Sequence, residues 1–162
     1  MHLAKTLVLA AAIACTASPA RAEGWRHGSA TLPLPFTPAS GTDDALVMFS
    51  NPAGLGLVPD LQLVYLHDEL GGSFGRGDAA ALQLGGIGFG MQYVRPDDVA
   101  IGDYVKYTVP LGIPLGEHAA LGLGLDVIDP VGNDRGTAVA WSAGILLRPV
   151  RVLSIGLVGE NL

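Results

Sequence analysis

The chain has 162 residues, 49% of them hydrophobic but only 6% aromatic, with 23 glycines and a formal charge of -6. Such apolarity excludes a disordered chain, and a lone cysteine, Cys15, excludes a disulfide scaffold. With 9 basic against 15 acidic side chains, and no two basic residues adjacent, nothing here offers an electrostatic footprint for nucleic acid.

At the N-terminus, Lys5, the apolar run over 6–15 and Ala20-Arg21-Ala22 together read as a secretory signal peptide spanning 1–22, with cleavage before Glu23. A rival reading makes Ala12-Ile13-Ala14-Cys15 a lipobox with Cys15 lipidated, although Ala12 stands where such boxes usually carry Leu. After cleavage no cysteine remains, so rigidity must come from backbone pairing and burial. The mature segment has no stretch of about 18 apolar residues poor in Gly and Pro, which excludes a helical membrane span. A closed sheet is the other structure that satisfies every backbone group in lipid.

Residues 42–50 predict a short helix capped by Thr42, with Asp43 and Asp44 in its first turn and a stop before Pro52. Pro52 lacks an N–H and Gly54 tolerates positive φ, so this pair can turn the chain toward the first strand.

From there the pattern has period two. Weaker alternation runs over 60–67, 78–84 and 103–113. Over 86–95, Ile87, Phe89, Met91 and Tyr93 oppose Gly88, Gly90 and Gln92. Over 119–129, Leu121, Leu123, Leu125 and Val127 oppose Gly122, Gly124 and Asp126, and over 137–147, Val139, Trp141, Ala143, Ile145 and Leu147 oppose Ala138, Ala140, Ser142 and Gly144. The last segment sets Leu153, Ile155 and Leu157 against Ser154, Gly156 and Glu160. Seven strands are thus expected. Pro110 and Pro114 predict that the fourth bulges or ends near Val109, because Pro cannot donate in a ladder.

Connections alternate in length along the chain. Gly85-Gly86, 115–118 and 148–151 are tight, whereas 68–77, 96–102 and 130–136 are longer and rich in Asp and Gly. Turns that are short at one rim and long at the other are the signature of an outer-membrane barrel, with short turns in the periplasm. Tyr65, Tyr93, Tyr104 and Trp141 fall near the long-loop ends, where an aromatic girdle is expected. Gln92, Gly122, Gly124, Asp126, Ser142 and Gly144 would then face the lumen. A soluble sandwich or barrel with one buried face shares the alternation but does not require the asymmetric rims.

Asp43-Asp44-Ala45 followed by Asn51-Pro52-Ala53-Gly54-Leu55 resembles the N-terminus of outer-membrane barrels related to FadL-type long-chain fatty-acid transporters and PorV-like proteins. Two further segments, 109–122 around a periplasmic turn and 154–162 ending in Asn161-Leu162, look like family hairpin and strand sequences. The resemblance implies that 23–59 is an N-terminal plug or periplasmic segment and that 60–162 carries barrel strands. It also implies that Phe49, Asn51, Pro52, Ala53, Gly54 and Leu55 plug the barrel or gate it, and that the ligand is a hydrophobic small molecule such as a fatty acid. Two alternatives stand beside it: a non-transporting assembly barrel that recruits exported partners, as PorV-like relatives do, and, apart from the resemblance, a membrane anchor for a downstream enzyme domain absent from this sequence. Gly56 departs from the Ala common in the family. Seven strands are about half the family's number, and single-chain bacterial barrels have an even count of at least eight, so the sequence is expected to be the N-terminal portion of a longer barrel. Closure by several chains is the alternative if it is complete.

Enzyme motifs do not survive their context. Gly71-Gly72-Ser73-Phe74-Gly75 matches the G-x-S-x-G string of a nucleophile elbow but lies between two β patterns, without the following helix that such an elbow needs. Arg76-Gly77-Asp78 reads as ordinary loop, and Gly86, Gly88 and Gly90 as the small face of a strand rather than a dinucleotide loop. His67, Asp68 and Glu69 read as a solvated strand end. Asp97, Asp98, Asp103, Asp129 and Asp134 read as charged loops toward lipopolysaccharide, and His27 and His118 have no partner spacing. No catalytic residue, metal or cofactor is expected, and the expected partners are outer-membrane lipid, lipopolysaccharide and a hydrophobic small molecule.

Overall fold

A computed structural model describes residues 39–40, 44–69, 76–96, 102–132, 136–150 and 152–160. The signal segment, Thr42, the Gly71–Gly75 string, Asp97, Asp98, Asp134, His27 and Cys15 lie outside the described residues. Seven strands form one antiparallel up-and-down sheet: β1 (Leu61–Asp68), β2 (Arg76–Leu84), β3 (Ile87–Arg95), β4 (Tyr104–Pro114), β5 (Ala119–Pro130), β6 (Ala138–Val150) and β7 (Leu153–Glu160). Each strand pairs with its sequence neighbours, and the sheet is open, with β1 and β7 at its edges. The seven expected strands are present in up-and-down order, and they do not close into a barrel by themselves.

Two local expectations are corrected. Arg76, Gly77 and Asp78 belong to β2, paired with Arg95, Val94 and Tyr93, rather than to a loop. The fourth strand also runs past Val109 to Pro114 and keeps its register with β5 throughout, Pro110 facing Gly124. Pro110 survives inside the sheet because its missing N–H falls on the β3 side. Pairing to β3 lapses there between Thr108 and Leu111, and it is restored where Gly112 N–H donates to Gly86 O at 2.6 Å.

The register aligns the outward side chains into rows. One row crosses all seven strands: Leu61, Leu84, Ile87, Leu111, Leu123, Ala143 and Gly159. Beside it toward the short turns run Ile113, Leu121, Ile145 and Leu157; toward the long connections come Leu63, Leu82 and Phe89, then Tyr65, Ala80, Met91, Tyr107, Val127 and Val139. The outermost row is polar apart from Val105, with His67, Asp78, Tyr93 and Asp129. These apolar side chains are largely uncovered; Leu63 is 76% exposed and Leu157 70%. Where the long row thins to Ala143 and Gly159, an apolar hollow of about 390 Å³ opens among Leu121, Leu123, Ile145 and Leu157.

The opposite face is covered. Across it lies an N-terminal segment with two 3-10 helical turns, Ala45–Phe49 and Pro52–Leu57. Asp44 caps the first turn, its carboxylate accepting from Leu46 N–H at 2.9 Å. Ala45, Leu46, Val47, Met48, Phe49 and Leu55 pack with Ala79, Ala81, Val94, Tyr104, Ile128 and Ala138 into the main core. Tyr104 is therefore 0% exposed on the covered face, which removes it from any outward girdle. Tyr107 takes the outward position instead, tilted against Phe89 at 6.4 Å between ring centroids.

Candidate functional site: the seat of the N-terminal segment

The covered face is built from small residues for a close backbone approach. A Cβ at Gly122 would come within 3.0 Å of Ala53 N and Pro52 C, and one at Gly112 would meet Gly56 N and the Leu55 carbonyl carbon equally closely. A Cβ at Gly144 would strike the Asn51 side-chain amide, and one at Gly156 the Ala39 carbonyl. Gly112, Gly122 and Gly144 are register partners in a row across β4, β5 and β6, and Gly156 lies on β7 opposite Leu146. The glycines form a track on which main chain lies directly. Gly88 and Gly90 on β3 make room in the same way for side chains, Leu55 and Met48 above the first, Phe49 and Met48 above the second.

Asn51 is the hub of this seat and is fully buried. Its amide nitrogen donates to Ala39 O at 2.7 Å and to Ile145 O at 3.2 Å, while its Oδ1 accepts from Ala53 N–H at 3.0 Å. The side chain thus caps the second turn and ties it to β6 and to the preceding chain. Pro52 opens that turn at a position where its lost N–H has no partner to miss. Ala53 must be small above Gly122. Gly54 must lack a side chain because a Cβ there would run into Val47. Leu55 fills the space over Gly88 and Gly112. Each member of Asn51-Pro52-Ala53-Gly54-Leu55 has its own steric or hydrogen-bonding reason. Ser154 Oγ–H donates to Ser40 O and Ser50 Oγ–H to Val47 O at 3.2 Å, holding the flanks.

Two residues to which the sequence pattern gave no role complete the seat, and two more form a network with Asp126 on the same face. Gln62 Oε1 accepts from Ala45 N–H at 2.8 Å, and Gln83 Nε2 donates to Val58 O at 2.6 Å, so two glutamines on β1 and β2 clamp the segment's backbone. Lys106 and Thr108 of β4 reach Asp126 of β5, Lys106 Nζ lying 3.1 Å from Oδ2 and Thr108 Oγ1–H donating to Oδ1 at 2.6 Å. The legible signal was a polar side chain at an inward position, in phase with the small or apolar residues of its strand. Gln92 and Asp126 lie on the covered face with Gly122, Gly124, Ser142 and Gly144; Ser142 Oγ occupies the space above Gly124.

At the long-connection rim a separate cluster forms on the outer face. Asp78 accepts from Tyr65 O–H at 2.6 Å and pairs with His67 Nδ1 at 2.7 Å, while His67 Nε2 lies 3.1 Å from Glu69. Residues read as a solvated strand end therefore converge with a neighbour from β2. Nearby, Tyr93 O–H donates to Asp103 at 2.8 Å, with the Arg95 guanidinium 5.6 Å from its ring centroid, and Asp129 accepts from Thr137 at 3.0 Å. Both His67 nitrogens face carboxylates, and among the described residues no group of His, Cys, Asp or Glu is placed to hold a metal ion. Comparison with family models, with curated proteins and with solved structures found no match to this chain.

Proposed function

We propose that the chain is the strand-bearing N-terminal part of an outer-membrane β-barrel, exported to the outer membrane of a Gram-negative-type bacterium. In this reading it binds or passes hydrophobic small molecules such as fatty acids, and the segment that includes 44–57 is its plug. The observation that carries this reading is the exposed face. Its rows change from aliphatic, through Tyr65, Met91 and Tyr107, to ionic at the long-connection rim, which is the order a strand meets on passing from hydrocarbon through the interface to water. Along β6, Val139 to Leu147 is about 27 Å long at about 3.4 Å per residue. Tilted by about 40°, that run covers about 21 Å of height, close to the apolar band of about 25 Å in such barrels. A water-soluble protein rarely leaves so large a contiguous apolar face uncovered.

In lipid the open edges of β1 and β7 must be paired, because each unsatisfied backbone group there costs several kcal/mol. Further strands or neighbouring copies would supply that pairing. The plug is held unevenly: the second turn sits on the glycine track through Asn51, whereas the first rests on side-chain packing and on Gln62. Opening by movement of the first turn alone would leave strand pairing intact, and the gate is assigned to it. The full-length protein should fractionate with outer membranes and stay there in high salt, since apolar burial, unlike electrostatic adsorption, is not screened. Recovery in the soluble periplasm would overturn the proposal.

A further inference from the structure

Among the inward side chains, Gln92 stands apart. It is 0% exposed, and neither its Nε2 nor its Oε1 has a hydrogen-bond partner among the described residues. Gln62 and Gln83 spend their amides on the plug's backbone, although Gln83 Oε1 is also unpaired. Burying both polar ends of an amide without partners is unfavourable, and a leucine of similar size would fill the position at lower cost. Lys106 is the register partner of Gln92 on β4, and the Lys106–Asp126–Thr108 network stands beside it. That ion pair is also largely buried, which is weak support for stability and leaves its presence to be explained. Phe49 and Met48 lie over Gly90, the inward position next to Gln92 and the register partner of Thr108, so lifting the first turn would open the space above Gly90 beside this polar group.

We infer that Gln92, Lys106, Thr108 and Asp126 form a headgroup site for an amphiphile whose head is uncharged and carries one hydrogen-bond donor beside one acceptor, a carboxamide being the full match. This rests on the reading of the barrel as a binder of hydrophobic molecules. The charge balance selects the head. Asp126 already neutralises Lys106, so a carboxylate would bring a second negative charge beside Asp126 in a low-dielectric site. Gln92 presents one free acceptor and an NH₂ donor, and a carboxamide answers both by pairing head to head, its C=O taking the Gln92 N–H and its N–H reaching Oε1. An ester supplies only the acceptor. The aliphatic tail would occupy the space that Met48 and Phe49 vacate.

The test uses the full chain in detergent micelles with three probes, hexadecanamide, methyl hexadecanoate and hexadecanoate, their affinities measured by equilibrium dialysis. Hexadecanamide should bind about tenfold or more tighter than hexadecanoate, with the ester between them. Gln92→Leu, which removes two unpaired buried polar atoms and should fold at least as well, is expected to abolish the preference for the amide. Asp126→Asn leaves Lys106 unneutralised and should shift the preference toward hexadecanoate. Tighter binding of hexadecanoate to the unaltered protein, or an amide preference that survives Gln92→Leu, would overturn the headgroup assignment while leaving the hydrophobic-ligand reading in place. Binding of none of the three probes would overturn both.

Discussion

Replacing Gly122 by alanine separates two physical effects of opposite sign. Away from contacts, Gly→Ala in extended backbone removes freedom from the unfolded chain and stabilises by about 0.4–1 kcal/mol. At Gly122 the added Cβ would come within 3.0 Å of Pro52 and Ala53 main chain, where ordinary contacts are 3.4 Å or longer. Side chains can rotate away from such an overlap, but two atoms of a peptide bond cannot, so the second 3-10 turn must lift. Overpacking of this kind costs about 1–3 kcal/mol, which corresponds to a roughly five- to hundred-fold rise in the lifted population at 1.4 kcal/mol per tenfold. Hydrogen exchange reads that population, because Ala53 N–H is held by Asn51 Oδ1 and Gly54 N–H by Asn51 O, both at 3.0 Å. Both amides should exchange roughly five- to hundred-fold faster in Gly122→Ala. Gly136→Ala, at a position where a Cβ meets nothing within 4 Å, should leave them unchanged. Unaltered or slower exchange at Ala53 in Gly122→Ala would refute the glycine track as a backbone seat.

Asn51→Ala removes the cap of the second turn and the bonds to Ala39 and Ile145, a loss of about 2–4 kcal/mol in seating; limited proteolysis should then cut within 45–57 well before the sheet is attacked. A disulfide between cysteines placed at Phe49 and Gly90, in a Cys15→Ser background, should pin the first turn. Uptake of a hydrophobic substrate should stop in the oxidised form and return on reduction, and efficient cross-linking without any change in uptake would remove the gate while keeping the seat.

The strands were the most legible part of the sequence because large apolar and small residues alternating with period two suit a sheet with one oily face and fit a helix poorly. Leu121, Leu123 and Leu125 against Gly122, Gly124 and Asp126 fix β5 and its two faces without any tertiary information. Pro110 misled because a missing N–H matters only on the side toward which the ladder bond would run, and that depends on register. Tyr104 lies at the same end of its strand as Tyr93 but with opposite parity to Tyr107, so position along the chain alone did not tell an outward phenol from a buried one. The helix before Pro52 was legible in outline. Its 3-10 geometry was not, and Asp44, read as a first-turn acid, instead caps the turn by accepting from Leu46 N–H. The inward glycines carry more than the pattern assigned them: small residues suggested a lumen, and Gly112, Gly122 and Gly156 also lie directly beneath another stretch of main chain. Gln92 and Asp126 could be seen as inward, but only the folded chain reveals that Gln92 has no partner among the described residues and that Asp126 is closed by Lys106.

The central claim, that the uncovered face meets lipid, is tested most directly by a fluorophore scan along β6. Single cysteines at Ala138, Val139, Ala140, Trp141, Ser142, Ala143, Ile145, Leu146 and Leu147, in a Cys15→Ser background, would each carry an environment-sensitive probe. The full-length protein is then placed in vesicles that hold a nitroxide on the lipid chains. Quenching with period two, strong at Val139, Trp141, Ala143, Ile145 and Leu147 and weak at Ala138, Ala140, Ser142 and Leu146, is the predicted result. Quenching at no position, or the opposite phase, would contradict it.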